Sequence, residues 1–326
     1  MKKPPAVLRE ADCPATDLGQ VVVVGFGNQG RANARNLHDS GVAVSVALRS
    51  GSASRTLARE VGLTVCSLDE IATADLVVWA IPDEVVPAVA EPLTAVKDGQ
   101  GWLFLHGLVI AHRWITPPKV VDLLLLAPQG PGTALRSAYE SGSGLPGVIA
   151  IERDSSGKAE ERLLAYARAV GCARGGLLWS SFAEETVIDH FGEQAVLCGG
   201  VPALVEAAWQ TLVDAGHDPR LAYIECLMQL KLLAGLMYER GVQGMYGAIS
   251  PTARFGAETD GRGVIGEQTE QRLRKLLQGL EKGDFARRWR EASQKSASEA
   301  TPPTEESDFE RTGRWVREQL NWMLPA

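Results

Sequence analysis

Four consecutive valines, Val21, Val22, Val23 and Val24, run straight into Gly25-Phe26-Gly27-Asn28-Gln29-Gly30, and a helical stretch follows from Arg31. No other feature limits the fold of this chain so strongly. A β-branched run without a polar position has no wet face and suits a strand covered on both sides. Glycines at this spacing between a strand and a helix permit a tight turn, and they let a pyrophosphate approach the N–H groups of the helix start. A glycine-rich turn without a ligand is the alternative. The strand-turn-helix context favours the nucleotide.

The same rhythm continues to about residue 180. Apolar runs at residues 42–48, 76–81, 103–105 and 123–126 suit parallel strands, and 148–151 reads as a further strand. Residues 157–171 read as a helix with Lys158, Glu160, Glu161 and Arg162 on its wet side. Beyond Ser181 strand runs give way to Ala-, Leu-, Glu- and Gln-rich segments at 184–197, 202–215, 219–240 and 267–280, which read as helices. The expected architecture is an α/β Rossmann domain over residues 1–181 and an all-α domain over 182–326. Residues 295–307, rich in Ser, Thr, Pro and Glu, read as a linker. A last amphipathic helix at 310–323, carrying Trp315, Leu320, Trp322 and Met323, should dock on the body or on a partner.

Charge narrows the range of partners. With 33 Lys and Arg against 40 Asp and Glu, the 326-residue chain carries −7, and no global basic field exists to hold nucleic acid or an anionic membrane. No apolar run in the sequence approaches the roughly 20 residues of a membrane span, and the N-terminus leads into no signal-peptide core. A small-molecule substrate and a cytoplasmic location are expected. Five cysteines, Cys13, Cys66, Cys172, Cys198 and Cys226, are scattered without a C-x-x-C pair, so reduced and mostly buried thiols are expected.

Two further patterns carry chemistry. Where an NAD enzyme places an acid after its second strand, this chain has Leu48-Arg49-Ser50-Gly51-Ser52-Ala53-Ser54, and a guanidinium with hydroxyls suits a 2′-phosphate. NADPH is therefore favoured, against the reading of Arg49 and the serines as a solvated loop. Asp189 and Glu193 lie four residues apart and so project from the same helix face, and Glu225 and Gln229 repeat the spacing with an amide. Oxygen ligands of this kind suit Mg²⁺, although an acidic pair at this spacing is by itself most simply a solvated helix face.

The order of motifs then resembles a known family. Gly25-Phe26-Gly27-Asn28-Gln29-Gly30, Ile81-Pro82-Asp83-Glu84-Val85, His106-Gly107, Ala127-Pro128-Gln129-Gly130-Pro131-Gly132, Phe182-Ala183-Glu184-Glu185-Thr186, Asp189-His190-Phe191-Gly192-Glu193-Gln194-Ala195-Val196-Leu197-Cys198-Gly199-Gly200, Glu225-Cys226-Leu227 and Ile249-Ser250 resemble short-form ketol-acid reductoisomerase from about residue 8 onward. The resemblance implies a Rossmann domain, a helical domain that interlocks with a second subunit in a homodimer, and alkyl migration in an acetohydroxy acid followed by reduction by NADPH. It implies NADPH contacts at Gly25, Phe26, Gly27, Asn28, Gln29, Arg49, Ser52, Ser54, Asp83, Glu84, Val85, Val86 and Gly132. Asp189 and Glu193 would hold one Mg²⁺, Glu225 and Gln229 would serve a second, Ser250 would meet the substrate carboxylate, and His106 would order water or relay a proton.

The chain departs from the family at the substrate end. Gln129 stands where the motif has a lysine, Gln229 where it has a carboxylate and Val86 where it has glutamine, and Gly244-Met245-Tyr246-Gly247-Ala248 precedes Ser250. Exchanging a lysine and a carboxylate for two amides leaves the formal charge of the set unchanged, which suggests coordinated retuning. Migration needs a deprotonated hydroxyl and a polarised ketone held together, the work of two cations, and an amide brings no charge to a second one. Reduction needs less. The first expectation is therefore an NADPH-dependent reductase of a small 2-oxo acid, 3-hydroxy-2-oxo acid or related imine, with at least one Mg²⁺. An authentic ketol-acid reductoisomerase comes second, and a non-catalytic NADPH-binding oligomerisation module third.

Overall fold

The structure is a computed structural model describing residues 6–296 and 305–320. The chain forms two compact units, Met1–Ile188 and Asp189–Ala326.

In the first unit the elements run β1 (Val21–Val24), α1 (Asn28–Asp39), β2 (Val44–Ala47), α2 (Ser54–Glu60), β3 (Thr64–Cys66), β4 (Leu76–Trp79), α3 (Val86–Ala90), β5 (Gly101–Phe104), α4 (Leu108–Ala111), β6 (Asp122–Pro128), α5 (Gly132–Ser141), β7 (Gly147–Arg153), α6 (Ala159–Ala169), α7 (Cys172–Gly175) and β8 (Leu177–Trp179). The eight strands form one sheet in the order β3-β2-β1-β4-β5-β6-β7-β8. Strand β1 pairs in parallel with both β2 and β4, so the chain's winding reverses beside it, and the crevice at the carboxyl ends of these strands is where such sheets bind ligands. All four valines of β1 are buried, as are all residues of β4 and β5, in keeping with a sheet covered on both faces.

Several details differ from the expectations. Strand β7 runs antiparallel to β6, and β3 and β8, three residues each, were not anticipated. Strand β2 starts at Val44 because the Val42 amide donates to Leu37 O and finishes α1 instead. Arg162, expected in solvent, turns inward: its Nη1 lies 2.6 Å from Oδ2 of the fully buried Asp122 and 2.8 Å from Gly99 O. A buried carboxylate must be paired, and the amides of Ser155 and Ser156 complete its shell at 2.8 and 2.9 Å.

Helix α8 (Phe182–Gly192) spans the boundary between the units. After it the second unit contains α9 (Gly200–Asp214), α10 (Pro219–Tyr223), α11 (Gln229–Tyr246), α12 (Pro251–Thr259), α13 (Glu267–Glu281), α14 (Asp284–Ser296) and α15 (Asp308–Gln319). Val205, Trp209, Ala222, Tyr223, Phe309 and Val316 form its core, which docks α15 on α9 and α10. The docking residues of α15 are Phe309 and Val316, whereas Trp315 is 45% exposed with Arg220 over its ring. Helices α12 and α14 were unanticipated; Lys295 and Ser296 end α14, Ser307 caps α15, and the rest of the expected linker at 297–304, like Trp322 and Met323, lies outside the described residues. Cys13, Cys66 and Cys172 are buried, but Cys198 is exposed.

One sequence expectation needs correction on physical grounds. Interrupted as they are by polar residues, the helical stretches Phe182–Asp214 and Pro219–Tyr246 are long and apolar enough to cross a membrane by length and composition alone, and little of their most apolar parts is buried.

Candidate active site

The cofactor end is built from backbone. Gly25 holds φ at +98°, and a Cβ there would lie 2.7 Å from Ala80 O and from Ile81 Cγ2, so the turn after β1 has room for glycine alone. Gly132 lies so close to α1 that a Cβ would come 2.2 Å from Asn28 O. Gln29 Nε2 donates to Gly130 O at 2.9 Å and pins the turn between β6 and α5 against the turn between β1 and α1. Helices α1 and α5 are preceded by Gly27 and Pro131, neither of which offers a side-chain cap, so their first N–H groups are left for an anion. These observations fit the diphosphate of a dinucleotide.

Around this turn the other expected cofactor residues line up at the carboxyl edge of the sheet. Phe26 is buried under the Arg31 guanidinium, 5.4 Å from its ring centre. Arg49 is exposed, Ser52 and Ser54 are half-buried, and Ser54 N donates to Ser52 Oγ at 3.3 Å. Glu84 and Val85 are exposed, while Val86 is buried and opens α3. Burial pushes the Asp83 carboxyl up to about 6; the nearby His106 opposes the shift, and Glu84 and Glu185 add to it.

His106 follows β5 and meets a residue to which sequence reading gave no role. Its Nδ1 lies 3.1 Å from Glu185 Oε1, and the second carboxylate oxygen accepts from Gly107 N at 2.8 Å. Glu185 is almost fully buried on the face of α8 that also buries Phe182 and Thr186. With its proton on Nδ1, the imidazole donates to Glu185 and turns Nε2 away as a base or relay. A charge at the apolar spacing of Phe182 and Thr186 was the available signal, because a buried carboxylate requires a partner. Burial and the neighbouring His106 also lower the pKa of His112.

Gln129 is folded back on its own turn: its Nε2 donates to Ala127 O at 3.1 Å and its N–H to Pro146 O at 2.9 Å. A neutral amide engaged in this way cannot supply the cation that a lysine would.

In the second unit the acids sit on irregular helix. Glu193 opens a π-helical turn, Glu193–Leu197, directly after α8, and Glu225 lies in a second one, Ile224–Met228, ending just before Gln229. Both four-residue spacings therefore cross or adjoin a change from i→i+4 to i→i+5 bonding, which replaces the regular face expected from spacing. Such turns concentrate at functional sites. Glu193 and Glu225 are exposed, and among the described residues Asp189, Glu193 and Glu225 do not gather as a set with ligand atoms within 4.8 Å of one another. Their oxygen chemistry fits a hard cation. Ser250 caps α12, its Oγ accepting from Ala253 N at 3.1 Å, and its hydroxyl proton can still be donated.

Comparison with known proteins identifies the family. The profile of the acetohydroxy acid isomeroreductase, NADPH-binding domain, matches residues 17–176, and that of the ketol-acid reductoisomerase, C-terminal domain, matches residues 182–322. A ketol-acid reductoisomerase (NADP(+)) of Haloarcula marismortui is 42% identical over 318 residues, covering 96% of this chain and 92% of that protein. A solved structure described as an NADH-preferring ketol-acid reductoisomerase from an uncultured archaeon superposes with a TM-score of 0.88 at 33% identity, covering 97% of this chain and 99% of that one. A semialdehyde dehydrogenase NAD-binding protein of Cupriavidus necator, 16% identical with a TM-score of 0.61 over 81% of this chain and 99% of its own, shares the fold alone. With both halves matched in order and nearly the whole length covered, the chain belongs to the ketol-acid reductoisomerase family.

Proposed function

We propose that the protein is an NADPH-dependent, Mg²⁺-assisted reductase of a 3-hydroxy-2-oxo acid or a closely related small 2-oxo acid or imine, in which the rearrangement preceding reduction in the family is impaired. The observation that carries this reading is Gln129, a neutral side chain turned back onto Ala127 O where the family motif has a lysine.

NADPH would supply hydride to the carbonyl carbon, leaving NADP⁺, and Mg²⁺ held by Asp189 and Glu193 would polarise the carbonyl oxygen. The chain's own residues do the rest. The turns at Gly25 and Gly132, with the starts of α1 and α5, hold the diphosphate and orient the dinucleotide along the carboxyl edge of the sheet. Glu185 fixes the His106 ring, which delivers or orders the proton that the new hydroxyl takes up. Ser250 offers a hydroxyl to the substrate carboxylate.

The second reading, a complete ketol-acid reductoisomerase, is favoured by the identity to the Haloarcula protein over almost the whole chain. Loss of nicotinamide absorbance distinguishes the two, measured with acetolactate and separately with its isomerised 3-hydroxy-2-oxo acid, each in Mg²⁺ and in EDTA. Turnover of the second substrate only is the expected result. Turnover of both at similar rates would overturn the impairment and establish the full reaction.

We also infer that the second unit is completed by a second copy of the chain in the cytoplasm. Its helices leave Leu197 68%, Leu221 65%, Tyr238 91% and Phe255 68% exposed, more apolar surface than a monomeric helical unit leaves wet. Glu193 and Glu225 share these stretches, and charges at that depth argue for a protein partner over lipid. Light scattering during size exclusion should give twice the 35.0 kDa chain mass or a multiple of it. A folded monomer at dilute concentration would contradict the dimer.

A further inference from the structure

Between the carboxyl ends of β2 and β3 lies an open cleft of about 430 Å³ lined by Leu48, Arg49, Ser50, Arg55, Ser67 and Leu68. It presents two guanidinium groups, two hydroxyls and no carboxylate. Of the two acids in the following turn, Asp69 and Glu70, Glu70 accepts from Ser67 N at 3.0 Å and is spent on capping. In a parallel sheet wound this way, the cleft sits beside the turn that holds the diphosphate, one strand further from the switch point.

The two arginines differ. Arg49 is exposed on the loop, whereas Arg55, in the first turn of α2, is half-buried. Arg55 Nη1 donates to Leu48 O at 2.7 Å and to Cys66 O at 3.3 Å, tying the end of β2 to the end of β3. The Arg55 amide donates to Ser52 O at 3.1 Å, so the same residue also closes the serine loop. Among the described residues its Nε and Nη2 have no hydrogen-bond partner. An anchored, half-buried fork loses little freedom on meeting a phosphate and is screened less by salt than an exposed one.

We propose that Arg55, rather than Arg49, sets the preference for the phosphorylated cofactor: its anchored guanidinium receives the 2′-phosphate of the adenosine end in this cleft, and its ties to Leu48 and Cys66 hold the serine loop in the receiving shape. The proposal rests on the NADPH reading above and adds the residue that decides it.

Calorimetric titration of the full-length protein with NADPH, NADH and adenosine 2′,5′-bisphosphate tests it without any turnover. For Arg55→Ala the NADPH-to-NADH affinity ratio should fall roughly 10- to 100-fold, with NADH binding within about threefold of the parent. Arg49→Ala should lower the ratio less. Arg55→Lys, which keeps the charge but lacks the planar fork, should fall between the parent and the alanine variant. Equal losses for both dinucleotides in Arg55→Ala would reduce Arg55 to a structural tie and overturn the proposal, as would a larger effect at Arg49. Parent protein binding NADH as tightly as NADPH would overturn the cofactor reading itself. A parental NADPH preference that survives Arg55→Ala would overturn the Arg55 assignment alone.

Discussion

In the two units the expected site residues are built from different materials. At the carboxyl edge of β1, β4 and β6 the cofactor turns are fixed by backbone clearance: Gly25 and Gly132 sit where any side chain would strike a neighbouring carbonyl, and buried valines anchor them. In the second unit two of the carboxylates expected to hold metal, Glu193 and Glu225, stand on π-helical turns, exposed beside uncovered apolar surface. A site made of backbone is complete in one chain and tolerates few substitutions. A site made of side chains on uncovered helices needs a metal or a second copy to become rigid, and it can change residue by residue, as Gln229 illustrates.

The largest effect should come from the side-chain pair of the first unit, His106 and Glu185. Glu185→Gln keeps the shape but removes the carboxylate charge beside the ring, so turnover should fall about 10²- to 10⁴-fold. NADPH affinity should stay within a few-fold, because the cofactor turns do not depend on this pair. A shifted pH–rate profile would mark the positioning role. Parallel loss of turnover and NADPH affinity would show that the pair is merely part of the fold and would erase the contrast drawn above.

Next in size is Asp189→Asn. Losing one anionic ligand should remove about 100-fold of the Mg²⁺-stimulated rate and leave the residual rate in EDTA unchanged. The isolated NADPH titration should not move. If EDTA has no effect on the parent enzyme, the acids are a solvated helix face after all.

A smaller and more discriminating effect is expected from restoring charges. Gln129→Lys and Gln229→Glu each upset the balance of the set, one adding a cation and the other an anion, whereas together they return the family's residues. Activity with the isomerised acid should drop about 10-fold in each single variant and recover in the double, with acetolactate turnover gained only in the double. Equal damage in singles and double would show that the two amides are unrelated changes.

The contrast also explains what the sequence disclosed. The strand-turn-helix at Val21 to Gly30 was legible because a buried apolar run and a turn signal adjoin and reinforce each other. Strands β3 and β8 were hidden by their length of three residues and mixed exposure, too short for periodicity to register. The cap of α12 is encoded in Ser250 followed by Pro251, a helix-start pair, whereas sequence reading gave Ser250 only a substrate contact and left α12 out. The π-turns were invisible because i→i+5 bonding leaves no residue pattern of its own, so spacing alone put Asp189 and Glu193 on a regular face. Glu185 was overlooked as one of two adjacent glutamates, and only burial separates it from the exposed Glu184.

The smallest predicted effect tests whether the backbone end is as independent as it looks. Asp83 lies beside the cofactor turn with its carboxyl raised to about 6, chiefly by burial. A group whose folded pKa exceeds its unfolded value near 3.8 contributes its stability below that value and loses it as pH rises through the folded one. The parent should therefore lose stability between pH 4 and neutrality relative to Asp83→Asn, which carries no ionisable group there. Because Asp83 is only half-buried, the gap at neutral pH should be about 2 kcal/mol at most. Urea unfolding of both proteins at pH 4 and pH 7.5 measures it. A gap that widens with pH means that burial outweighs the attraction of His106 at this carboxyl. A gap that stays constant means that His106 offsets the burial, which would join the cofactor turn to the His106–Glu185 pair as one electrostatic unit.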